Sequence, residues 1–199
     1  MTTLAYCAVS TDGQGAPGEI IVRDEAVPGL RRFADVMHEH GAAASIQLGH
    51  AGPVAASTGG RGLAPSRVFT PQAMKFTRAI TEVDINRITT DFAHAARLAV
   101  GAGFDAVELH FGHGYLISSF LSPKLNKRAD RWGGSIANRA RFARRCRSSC
   151  WGASTASRRS TGPGRRFFPR RHGTGLAARA APRQPLAEGG HERVAMHPL

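Results

Sequence analysis

The sequence predicts an α/β fold: a parallel sheet of about three βα units, followed by a C-terminal stretch of different character. Two observations predict the sheet. Short β-rich segments alternate with segments of helical period at intervals of about 40 to 60 residues, and such alternation argues for parallel strands joined by right-handed crossovers. Each helical segment is also closed by glycine just before the next strand. A third observation sets the limit. Residues 1–143 hold 15 basic and 12 acidic side chains, whereas residues 144–199 hold 12 basic and 2 acidic, so most of the formal charge of +13 belongs to the C-terminal part. The expected organisation is therefore a folded unit over residues 1–143 and an Arg-rich, disordered tail over residues 144–199.

Thr3 to Val9 is short and β-rich, and the Gly-, Pro- and Asp-containing stretch from Ser10 to Gly18 reads as a loop. From Pro28 to His40, Leu30, Phe33, Ala34 and Met37 recur at i, i+3, i+4 and i+7, one face of a helix that Gly41 closes. Ala42 to Leu48 is the second strand. The segment from there to Ile80 is rich in Gly, Ser and Pro and poor in periodicity, the signature of a functional loop. Thr81-Glu82-Val83-Asp84 opens a second helix like a capping box, and Ile85, Ile88, Phe92, Ala95, Ala96 and Ala99 mark its buried stripe up to Gly101 or Gly103. Phe104 to Leu109 is the third strand. A closed barrel of eight βα units takes about 250 residues, more than the 199 of this chain.

The chemistry gathers where the third strand runs out. His110, His113 and Tyr115 follow it directly, and strand C-terminal ends are where parallel α/β proteins hold their substrates. Two histidines three residues apart can converge on one oxygen as hydrogen-bond donors, and a tyrosine two residues on can act as a general acid. Gln47, at the end of the second strand, offers an amide donor and acceptor together. The rival for the histidine pair is a metal, with Glu108 or His50 recruited as further ligands, but no complete zinc pattern is present.

These residues sit inside a recognisable run. His110 and His113 are followed by Gly114-Tyr115-Leu116, Phe120-Leu121-Ser122-Pro123, Asn126-Lys127-Arg128-Ala129-Asp130, Trp132-Gly133-Gly134-Ser135 and Asn138-Arg139-Ala140-Arg141-Phe142. Gln47-Leu48-Gly49-His50-Ala51-Gly52 and Ala64-Pro65-Ser66 precede them. The run resembles the old yellow enzyme family of FMN-dependent NADH:flavin oxidoreductases and ene-reductases, including the 2,4-dienoyl-CoA reductase branch. The resemblance implies a partial (β/α)8 TIM barrel holding strands two to four. It implies FMN as cofactor, NAD(P)H as reductant and an electron-poor alkene or enone as small-molecule substrate. It assigns His110 and His113 to the substrate carbonyl, Tyr115 to proton donation and Gln47 to the flavin. Pro53 departs from the arginine common in the family at that position. Because FMN in the family also depends on the first and fifth strands and on a late phosphate site, the chain alone is expected to be inactive and colourless.

The tail has no isoleucine, one valine, no lysine and twelve arginines after residue 143, neither the strand residues nor the helix period of a barrel. Its composition fits off-frame translation of GC-rich DNA. The alternative is a genuine arginine arm that binds nucleic acid through phosphate contacts, with Trp151 or Phe167-Phe168 stacking on bases. Cys7, Cys146 and Cys150 are too few and too irregular for a disulfide framework or a zinc site. With no signal-peptide pattern and no run of membrane-spanning length, a cytoplasmic location without membrane association is expected.

Overall fold

The computed structural model describes residues 1–56, 61–71 and 74–161, with side-chain surroundings through residue 152. Its centre is a four-stranded parallel sheet. Strand β1 (Thr2–Ala8) lies between β2 (Ile20–Ile21) and β3 (Ala44–Gly49), and β8 (Ala106–Leu109) pairs with β3 on the far side. The sheet is part of a (β/α)8 barrel, and its strands fall where the β-rich segments predict them, apart from the two-residue β2, too short to show a period.

The helices cover one face of the sheet. Helix α1 (Val27–Glu39) takes Pro28 in its first turn and buries Leu30 and Ala34, while Phe33 stacks on Phe104 at 5.8 Å. Gly41, at φ +71, lets the chain turn back into β3. Helix α2 (Glu82–Gly101) starts at the capping box expected of Thr81: its hydroxyl accepts from the Asp84 N–H, and the Asp84 carboxylate accepts from the Thr81 N–H. Ile85, Ile88, Phe92, Ala95, Ala96 and Ala99 form its buried stripe, against which Ile46, Leu48 and Val107 of the sheet complete the core.

The long loop contains local order that periodicity does not reveal. Strands β4 (Leu63–Ala64) and β7 (Arg78–Ala79) pair in parallel, and β5 (Phe69–Thr70) and β6 (Lys75–Phe76) form an antiparallel hairpin. Buried Thr77 ties this unit together, its hydroxyl accepting from the Val68 N–H and lying within reach of the Ser66 and Val68 carbonyls. Two-residue ladders are too short to leave a sequence pattern.

After β8 come α3 (Leu116–Leu121) and α4 (Ile136–Arg139), the latter capped by the Ser135 hydroxyl, which accepts from the Asn138 N–H. Helix α5 (Arg141–Thr161) then runs straight through the boundary expected at residue 143. Phe142, Cys146 and Cys150 recur every fourth residue and are buried against α2, with the Cys150 thiol 3.4 Å from the Phe92 carbonyl. The expectation of few buried contacts after residue 143 is therefore corrected for residues 144–150. The cysteines act as small apolar residues and supply a helix stripe that a scan for Leu, Ile and Val misses. Residues 162–199, including Phe167-Phe168, lie outside the described residues. Among the described residues no helix is long and apolar enough to cross a membrane.

Candidate functional site

Alternation along the strands gives the sheet a second, polar face. Ile46 and Leu48 point to the helices, so Gln47 points the other way, beside its register partner Glu108. The Gln47 Nε2 donates to Glu108 Oε1 at 3.0 Å. His110 lies two residues beyond Glu108, on the same face, and its N–H extends the ladder by bonding the Leu48 carbonyl at 2.8 Å. Gln47 and His110 thus stand toward the C-terminal ends of adjacent parallel strands.

The backbone beyond His110 then doubles back. His113 and Gly114 are both left-handed, at φ +57 and +71. That conformation costs a non-glycine residue of order 1 kcal/mol and marks a place where side-chain aim outweighs local comfort. The turn is held by the Tyr115 N–H and the Ser118 hydroxyl, which both donate to the Gly112 carbonyl. Its result is a cluster. The ring centroids of His110 and His113 lie 4.8 Å apart, those of His110 and Tyr115 4.8 Å, and those of His113 and Tyr115 5.9 Å. Burial, reinforced by the nearby His113 and opposed by Glu108, holds His110 below the usual imidazole range. His110 is therefore a neutral donor at neutral pH. Burial first, and Glu19 second, push the Tyr115 phenol upward, so it keeps its proton.

Two members of this site leave no motif in the sequence. Tyr6 belongs to a strand that should aim it at the helices, but a bulge between Leu4 and Cys7 turns it over the polar face. Its ring packs edge-on against His110 at 5.9 Å and Tyr115 at 5.4 Å, and its hydroxyl donates to the Gly13 carbonyl. Gly49 makes room for it: a Cβ there would fall 2.2 Å from the Tyr6 ring and 3.1 Å from the His110 Cβ. Glu108 is the other. A lone carboxylate in the otherwise apolar run Ala106-Val107-Glu108-Leu109 is the signal that marks it.

His50 is fully buried and fastens the loop. Its Nδ1 accepts from the Gly52 N–H, its Nε2 lies 3.6 Å from the Asp12 carboxylate, and its carbonyl accepts from the Leu116 N–H. Gly52, at φ +59, sits so close to Leu116 that a Cβ would meet its backbone at 2.7 Å. The Ala64-Pro65-Ser66 segment is pinned to the chain beyond α3: Ser66 Oγ accepts from the Lys127 N–H, and Arg128 donates to the Pro65 and Ile80 carbonyls. Arg128, Asp130 and Arg139 bond mainly backbone or each other, as scaffold. Among the described residues no three His, Cys, Asp or Glu side chains converge to hold a metal ion.

Comparison with known proteins adds to this geometry. The protein is 50% identical over 147 residues to the 4,4'-dithiodibutanoate disulfide reductase of Rhodococcus erythropolis, covering 73% of this chain and 36% of that protein. It is 39% identical over 146 residues to the probable NADH-dependent flavin oxidoreductase YqiG of Bacillus subtilis, covering 71% and 39%. The chain thus spans well under half the length of these curated relatives. Among solved structures, the old yellow enzyme homologue from Zymomonas mobilis superposes with a TM-score of 0.71 at 29% identity, covering 76% of this chain and 46% of that one. Morphinone reductase in complex with tetrahydroNAD gives 0.71 at 26% identity, with 78% and 48% covered. Residues 1–147 match the family model for these flavin enzymes, and the chain belongs to the NADH:flavin oxidoreductase / NADH oxidase family.

Proposed function

We propose that the protein acts in an FMN-dependent oxidoreduction, in which hydride passes from NAD(P)H through FMN to an electron-poor alkene such as an enone. The observation that carries this reading is the convergence of His110, His113 and Tyr115 at the end of β8, on the face that also bears Gln47. Neutral His110 and its neighbour His113 direct N–H donors at the substrate carbonyl oxygen and stabilise the negative charge that develops there. Tyr115 gives its proton to the α-carbon. With its Nε2 engaged by Glu108, Gln47 would hold FMN through Oε1, an acceptor for an imide N–H. These residues fit the cofactor in their chemistry: an amide that is donor and acceptor together stands at the strand end, on the polar face of the sheet. When bound, FMN supplies the hydride that adds to the β-carbon.

The barrel unit in this reading runs through Cys150, with the arginine-rich remainder outside it. Its setting is taken as cytoplasmic, in keeping with three free thiols.

The decisive measurement separates two half-reactions in a barrel completed with the first strand, the fifth strand and the phosphate site, because the chain alone is expected to hold no FMN. Tyr115→Phe is expected to slow enone reduction by about 10²- to 10⁴-fold and to leave flavin reduction by NAD(P)H unchanged, because only the first consumes its proton. Equal losses in both reject the role.

A second acceptor is favoured by the 50% identity to the disulfide reductase. With an organic disulfide, hydride would add to one sulfur to give a thiol as the S–S bond breaks. The other sulfur would leave as thiolate and take the Tyr115 proton. Turnover of a dithiodibutanoate but not an enone selects this reading.

A further inference from the structure

We propose that Glu19, together with the burial of the phenol, holds the proton on Tyr115: one of its carboxylate oxygens faces the phenol across Gly15, so the two groups oppose each other's negative charge. The inference rests on the reading of Tyr115 as proton donor. Glu19 immediately precedes β2, which is fixed on β1 through the Cys7–Ile20 and Ala8–Ile21 pairs. Its Oε2 accepts from the Gly15 N–H at 2.7 Å, and its carbonyl accepts from Gln14 Nε2 at 2.7 Å. Both bonds settle where the other oxygen lies. A Cβ at residue 15 would stand 2.9 Å from the Tyr115 hydroxyl and 3.3 Å from Glu19 Oε1, so a single point touches both oxygens. A side chain at residue 15 would meet both groups.

The titratable groups facing Tyr115 come from three other directions: Tyr6 on β1, His110 at the end of β8 and His113 in the turn. Tyr6 is itself driven far upward, by burial first and then by Glu19, and stays neutral. Any charge on the imidazoles is positive and acts in the opposite sense. Glu19 is thus the negative charge in the shell. It disfavours the phenolate and favours return of a proton after each donation, so the acid stays loaded as pH rises.

The chain has two tyrosines, which makes this measurable without turnover. Ultraviolet titration of tyrosinate in the whole protein reads Tyr6 and Tyr115 alone, and Tyr115→Phe supplies the Tyr6 baseline. Glu19→Gln is expected to raise the ionisation constant of Tyr115 by about threefold to tenfold. Raising salt from about 0.01 M to 1 M should narrow the difference between the Tyr115 midpoints of the unaltered protein and Glu19→Gln, because screening weakens the one charge by which they differ. An identical Tyr115 midpoint in the two proteins, with circular dichroism unchanged, overturns the proposal. Should Glu19→Gln fail to fold, Glu19→Ala removes the same charge, and an unchanged Tyr115 midpoint there overturns the proposal equally. In the FMN-loaded, completed barrel the alkaline limb of enone reduction should move to lower pH in Glu19→Gln. If the Tyr115 midpoint moves while enone reduction is indifferent to Tyr115→Phe, the catalytic reading fails and the Glu19 coupling stands.

Discussion

The two faces of the central sheet are made from alternate residues of the same strands, yet they answer to different demands. On the helix side, Ile46, Leu48 and Val107 meet Phe92, Ile88 and Leu30 with little or no exposure, and almost any apolar residue of fitting volume would serve. On the other side, Gln47, Glu108 and His110 are half-buried and bonded to one another or to backbone, and each is tied to one geometry. Stability is concentrated on the first face and chemistry on the second. The sheet lets them be specified separately, because neighbouring residues point in opposite directions.

The largest effect that tests this division is on the helix side. Phe92 is fully buried between the sheet and α5, and Phe92→Ala removes a ring whose space the Cys150 side chain cannot fill. A loss of about 3–5 kcal/mol is expected in urea unfolding. A cost below about 1 kcal/mol would mean that α5 does not seal this core.

On the polar face the same size of change should act differently. Gly49→Ala places a methyl where the Tyr6 ring now lies, and the ring must swing away from His110 and Tyr115. Overpacking of this kind costs about 1–3 kcal/mol, less than the Phe92 cavity. Its clearer signature is local. The His110 and Tyr115 resonances should move in NMR spectra while those of Ile88 and Phe92 hold still, and shifts spread evenly over both faces would break the comparison.

How much of this was legible in the sequence follows the same line. Helices α1 and α2, the three longer strands and the positions of Gln47, His110, His113 and Tyr115 follow from apolar period and from strand ends. Those features are local. What escaped needed the third dimension. Tyr6 reaches the site through a bulge, which depends on how β1 registers against β3. Glu19 arrives there because β2 pairs with β1, and two residues carry no period. Cys146 and Cys150 form no disulfide or metal pattern in the sequence, and their part in the core shows only once α2 is seen to cover them. Burial pushes the Cys150 thiol up to about 12, the mark of an inert core residue.

The smallest expected effect lies at the edge of both faces, where α2 begins. The Asp84 carboxylate accepts two hydrogen bonds from the Arg78 guanidinium at 2.8 Å each, and it also closes the capping box with Thr81. Those partners, Arg78 foremost, outweigh the cost of burial and hold its carboxyl well below the usual carboxylate range. A folded-state value below the unfolded one means that the charged form stabilises the fold. That contribution is complete above the unfolded value near 4 and is lost as pH falls through the folded value. Asp84→Asn should therefore cost about 1–2 kcal/mol at neutral pH, the range of a lost cap together with an ion pair that is half-exposed on the Arg78 side. The gap between the two proteins should close as the solution is made strongly acidic. Urea unfolding at a series of pH values decides it: a gap that stays constant down to pH about 2 would assign the loss to shape rather than to charge.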